Sequence, residues 1–145
     1  MKIREYLKKH KILADGAMGT YYAMLHNGEV SEFANLENPR EVEKIHLAYL
    51  KAGANLLVTN TFAANEQNTG YTKQEVKECI LQGIKIAKHA IAQSGREDVF
   101  LAGDVGPIQE LGECSEEEIL KRYKRTIDLY LQEELPVILF ETFTS

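Results

Sequence analysis

Four apolar runs in this chain each end on a polar or acidic cluster. Residues 12–14 lead to Asp15, and residues 56–58 lead to Asn60 and Thr61. Residues 99–102 lead to Asp104, and residues 137–140 lead to Glu141 and Thr142. Carboxylates pair with an ammonium group, while hydroxyls and backbone N–H groups take a carboxylate. A rim carrying Asp15, Asn60 or Thr61, Asp104 and Glu141 therefore suits a ligand with an ammonium end. Asp and Asn also close strands as caps for the following loop. At any one position the two readings are evenly matched, and their recurrence at all four run ends favours a site.

Other reactive residue types carry less. The pair Gly16 and Gly19 lacks the middle glycine of a dinucleotide fingerprint and the Gly-Lys-Ser/Thr of a phosphate loop. Their expected role is to turn the backbone and let it approach a ligand, and Gly103, Gly106 and Pro107 are expected to do the same after the third run. His10, His26, His46 and His89 show no metal-ligand spacing. Cys79 falls beside an apolar helical stripe, the place of an inert buried thiol. Cys114 has no neighbour that would activate it. No catalytic residue and no metal ligand is assigned within the chain.

The elements that must position the rim follow from periodicity. Residues 4–10 form a short amphipathic segment, residues 11–14 a strand, and residues 15–20 a glycine-punctuated turn. Residues 21–38 are an irregular excursion with a helical turn near residues 20–26. Asn38 and Pro39 open a helix as cap and first residue, and Gly53 closes it. Its stripe is Val42, Ile45, Tyr49 and Ala52. A strand over residues 55–59 follows. Thr72 caps a second helix with the stripe Val76, Ile80, Ile84, Ala87 and Ile91, ended by Gly95. A third strand spans residues 99–103. Ser115 and Glu118 make a capping box before a third helix with Ile119, Tyr123, Ile127 and Tyr130 on one face. A fourth strand spans residues 136–141. The order β-α-β-α-β-α-β with helix-length crossovers predicts parallel strands and right-handed crossovers. In such folds the site lies at the carboxyl ends of the strands.

The 145 residues make one domain, 1–145, and 44% apolar with 27% charged residues is an ordinary globular balance. A net charge of −5, with no basic stripe, argues against a nucleic-acid partner. No apolar run is long enough to span a bilayer. The basic start of the chain lacks the apolar stretch of a signal peptide, and two unmatched cysteines predict no disulfide framework, so a cytoplasmic location is expected.

Six segments together resemble the homocysteine S-methyltransferase family. They are Asp15-Gly16-Ala17-Met18-Gly19-Thr20, Asn35-Leu36 with Asn38-Pro39, the stretch 45–55, Thr59-Asn60-Thr61-Phe62, Gly103-Asp104-Val105-Gly106-Pro107 and Phe140-Glu141-Thr142-Phe143. They run in the family's order across essentially the whole chain. The nearest likeness is to the homocysteine-binding modules of bacterial methionine synthases, and of bifunctional proteins that join this module to a methylenetetrahydrofolate reductase. The resemblance implies an α/β fold, the first half of a (β/α)8 TIM barrel, with homocysteine at the top of its parallel strands. It places Asp15, Asn60, Thr61 and Glu141 in the homocysteine pocket, with Glu141 on the amino group and Asn60 beside it. It also implies a zinc ion, held by three cysteines, that makes the substrate thiol reactive and leads to methionine.

The departures are substantial. A full barrel takes about 250 residues, and four of eight strands are present. The family's zinc cysteines belong to the second half, and neither Cys79 nor Cys114 matches them. The residues before strand four, Glu134-Leu135-Pro136, replace the family's glycine-containing turn. The fragment is expected to be inactive alone and to pair through its exposed strand edges, either with the missing half or with a second copy. The methyl donor, whether methyl-tetrahydrofolate through cobalamin, S-methylmethionine or betaine, is left open. The alternative is a non-catalytic half-barrel that binds or assembles. A different barrel enzyme, an aldolase or amidohydrolase, would need a Schiff-base lysine or a histidine pair at a strand end, and neither is there.

Overall fold

A computed structural model describes residues 2–109 and 114–144 of the chain. Its centre is a three-stranded parallel sheet of β1 (Leu56–Val58), β2 (Phe100–Val105) and β3 (Val137–Phe140), in that order. Leu57 pairs with Leu101, and Gly103 with Ile138. Every residue of β2 is buried, as its continuous apolar run requires when both faces are covered. The strands sit where the sequence puts them.

The first expected strand is reduced. Residues 11–14 lie parallel to β1, but only Ala14 forms a bridge, to Leu56. The Leu13 carbonyl accepts from both Asn55 and Leu56, while the Leu13 N–H turns to the Asn55 side chain at 2.7 Å. Asn55 thus occupies a ladder position with its amide and stops regular pairing one residue in.

Helices cover the sheet as the stripes demand. Short α1 (Ile3–Tyr6), α2 (Met18–Leu25), a 3-10 turn (Ser31–Phe33) and α3 (Ala34–Glu37) precede α4 (Pro39–Lys51). After β1 come α5 (Glu66–Thr69) and α6 (Lys73–Ser94), and after β2 comes α7 (Glu116–Gln132). Pro39 opens α4 as expected, but the Asn38 side chain makes no cap bond. Thr72 and Glu75 form a complete capping box on α6, which ends at Gly95 with φ 69°. At α7 only the Ser115 half of the box forms. Glu118 instead faces Arg122 at 3.4 Å and Arg125 at 3.9 Å.

The main core joins β1 and β2 to α6 and α7 through Leu57, Ile80, Ile84, Leu101, Leu129 and Tyr130. Each such side chain contributes about 1.5–3 kcal/mol on burial. A second cluster, Tyr22, Val42, Ile45 and Ile86, ties α2 and α4 to α6. Among the described residues, no helix is long and apolar enough to cross a membrane.

Candidate functional site

A cleft of about 680 Å³ opens at the carboxyl ends of the strands. Asp15, Asn60, Thr61, Asp104 and Glu141 all line it, so the rim read from the sequence exists as one surface. Parallel strands in register bring residues 45 positions apart in sequence to neighbouring ends, and the crossover helices do the rest. The 15–20 turn and Glu32 close one side of the cleft, and Leu139 with Thr142 lies on the other.

The five rim residues differ in what they leave free. Asp15 accepts the Val58 N–H at 3.0 Å through Oδ2. Burial pushes its carboxyl up to about 6, with the Val58 bond opposing and the Glu141 charge adding. Asp104 is 5% exposed, and its Oδ1 has no hydrogen-bond partner. Burial, followed by the charges of Glu141, Asp15 and Glu32, pushes it to about 8. Glu141 is half-buried, its N–H bonded to the Val105 carbonyl at 3.1 Å.

Asn60 and Thr61 are committed to the scaffold. The Asn60 amide donates to the Ser31 carbonyl and to Asn35 Oδ1, and accepts from Ser31 Oγ. It thereby pins the 3-10 turn and α3 beside the end of β1. The Thr61 hydroxyl joins a closed ring of bonds. Asp104 N–H donates to Thr59 Oγ1, which meets Thr61 Oγ1 at 2.7 Å. Thr61 and Tyr130 both donate to the Asp104 carbonyl, at 2.9 and 2.5 Å. Tyr130 is fully buried beneath Gly103, where a Cβ would stand 2.6 Å from its ring. This ring locks the ends of β1 and β2 to α7 and orients Asp104.

Gly16 has a packing role besides the expected one. A Cβ there would stand 2.7 Å from the Tyr49 hydroxyl, which donates to the Ala17 carbonyl at 3.3 Å. The glycine admits α4 against the turn. Gly16 and Gly19 both line the cleft.

Two site residues escaped the sequence reading. Glu32 is buried at 6% exposure and accepts the Ala63 N–H at 3.1 Å. It lies in an excursion without periodicity, so no pattern flagged it. Tyr130 was visible only as one apolar position of a helical stripe. The cysteines stand apart from the cleft chemistry. The Cys79 thiol is raised to about 11 by burial and donates to the Glu32 carbonyl at 3.3 Å.

No Lys, Arg or His lines the cleft among the described residues. An acid-lined cleft at the carboxyl ends of parallel strands is the site end of a β/α-barrel segment. The chain belongs to the homocysteine S-methyltransferase family, whose model matches residues 12–145. It is 30% identical over 118 residues to betaine–homocysteine S-methyltransferase 1 of Danio rerio, covering 76% of this chain and 28% of that protein. It is 28% identical over 149 residues to methionine synthase of Mycobacterium leprae (strain TN), covering 92% of this chain and 12% of that one. Its fold matches the metallated form of the Escherichia coli homocysteine methyltransferase MmuM with a TM-score of 0.79 at 23% identity. That match covers 97% of this chain and 57% of MmuM. The apo form of MmuM matches with a TM-score of 0.72 at 27% identity, over 94% of this chain and 51% of that one. The chain therefore spans about half of a (β/α)8 barrel, and less than a third of the two curated relatives' length.

Proposed function

We propose that this chain supplies the amino-acid-binding side of a homocysteine S-methyltransferase, an enzyme that methylates the homocysteine thiol to give methionine. The observation that carries this reading is the gathering of Asp15, Asp104 and Glu141 around one cleft that, among the described residues, is free of cationic side chains. An ammonium group entering it meets carboxylates on three sides. In this reading Glu141 and Asp15 hold the amino group. Asn60 and Thr61 shape the pocket, since their side chains are consumed by Ser31, Asn35, Asp104 and Tyr130.

The family resemblance calls for zinc to make the substrate sulfur reactive as a thiolate. The residues described here do not fit that metal. Among them, no group of three or more His, Cys, Asp or Glu side chains is placed to hold an ion. Cys79 is buried in the core, and its thiol is held to the Glu32 carbonyl. The reactive sulfur must therefore be served by residues beyond these. In this reading the chain binds and orients the amino-acid end of the substrate and is inactive by itself, in the cytoplasm, whichever methyl donor the enzyme uses.

Barrel closure needs partners for two edges. Leu13 at one edge, and Phe140 and Phe143 at the other, are exposed. Further strands of the same barrel are the partners proposed for both, and pairing of two copies is the alternative, favoured by the same apolar edges. The functional reading is tested by titrating the protein with L-homocysteine, with and without Glu141→Ala. A loss of affinity of at least tenfold is expected, and unchanged affinity refutes the pocket.

A further inference from the structure

We infer that Asp104 is a further ligand-binding residue of this cleft, taking a cationic nitrogen on the oxygen Oδ1 that the protein itself leaves without a partner. Buried polar atoms in folded proteins are almost always paired, and a buried orphan marks strain, an ordered water or a ligand that displaces it. Asp104 Oδ1 is the one buried carboxylate oxygen without a hydrogen bond among the described residues. The backbone that carries the side chain is firmly held. Its backbone carbonyl accepts from Thr61 and Tyr130, and its N–H donates to Thr59. A ring of bonds reaching back to α7 therefore fixes the Asp104 backbone at the wall of a cleft of about 680 Å³, with the orphan oxygen on its side chain.

The groups facing Asp104 come from every side. Asp15 follows the first bridge, Glu32 sits in the 3-10 turn, Glu141 follows β3, and the Tyr130 phenol reaches in from α7. All are acidic or neutral. A donor completes the set once Asp104 is ionised, and a cationic one gains most. The burial and neighbouring charges that raise Asp104 to about 8 keep its proton on at neutral pH in the empty cleft. An ammonium ligand displaces that proton. The amine arrives as R–NH3⁺, Asp104 ionises, its proton leaves to buffer, and a charge-assisted hydrogen bond forms. Binding is thus coupled to the release of up to one proton.

The inference rests on the amino-acid reading only in its choice of probe. L-methionine, which has no titrating thiol, and 3-(methylthio)propylamine, which keeps the ammonium but lacks the carboxylate, are titrated by NMR at pH 6, 7 and 8. Affinity for both should rise about tenfold from pH 6 to 7, the slope of one released proton per ligand. Asp104→Asn, nearly isosteric, should weaken both probes at pH 8 and cut the slope to the roughly twofold rise that Asp15 leaves, and Asp104→Ser should do the same with a different side-chain volume. Methionine binding whose wild-type slope is no more than twofold, or with full affinity in either variant, overturns the role of Asp104 and leaves the amino-acid pocket standing. Binding of the amine but not of methionine supports Asp104 and overturns the pocket instead. Absence of binding by both probes at pH 8 overturns the inference.

Discussion

Replacing Asp104 by asparagine should stabilise the folded protein, and the gain should grow as pH rises. The carboxyl sits at about 8 in the fold against an ordinary value of 3.8. A group whose pKa is raised by folding contributes fully below its unfolded value and loses that contribution as pH climbs to the folded one. The window is therefore pH 4 to 8. At pH 7 the distance from 3.8 is about 3 units, and at ~1.4 kcal/mol per unit the ceiling is about 4 kcal/mol. Solvent in the open cleft screens the Glu141 and Asp15 charges, so about 2 kcal/mol is expected. Urea unfolding at pH 5 and pH 8 measures it. The variant should exceed the wild type at both values, and by more at pH 8. A variant no more stable than the wild type at pH 8 refutes the claim that the acid cluster strains the fold. Such strain is what a site retained for binding, against stability, shows.

Three more perturbations test other parts of the structure. His46 is buried with neither ring nitrogen bonded, and burial lowers it from 6.5 to about 4. Its neutral form belongs to the fold, so its contribution is complete above pH 6.5 and is lost as pH falls to 4, a difference of about 3 kcal/mol. His46→Leu should remove that loss, and equal acid sensitivity in thermal melts of both proteins refutes it. Gly103→Ala should cost about 1–3 kcal/mol, because the new methyl meets the Tyr130 ring. A melting temperature unchanged from wild type contradicts the packing described. Cys79 should resist a thiol reagent in the native protein and react after urea unfolding. Rapid labelling of both cysteines before unfolding contradicts its burial.

How far the sequence reached depends on the kind of interaction. Long-range periodicity carried α4, α6 and α7, because burial of one stripe dominates their energetics. Thr72, Ser115, Gly53 and Gly95 mark helix ends by local chemistry, and they stand at the ends they predict. The strand ends were legible for a topological reason: a parallel register brings them together whatever lies between. Side-chain allegiance was not legible. Asn38 looks like a cap and bonds nothing there, whereas Asn55 looks like a strand residue and replaces a ladder bond. Asn60 looks like a ligand group, yet its amide is spent on Ser31 and Asn35. Such choices are decided by partners tens of residues away. Glu32 shows the same limit from the other side, since a buried carboxylate in an irregular segment leaves no pattern in the sequence.

The central claim is that the strand ends grip the amino-acid end of homocysteine. A crystal structure of the protein with L-homocysteine tests it most directly. The ammonium group should lie within hydrogen-bond distance of Glu141 and of Asp15 or Asp104, in the cleft lined by Gly19 and Thr142, with the sulfur pointing away from the three carboxylates. Homocysteine bound elsewhere on the chain, or seated in the cleft with its ammonium group away from all three carboxylates, would contradict it.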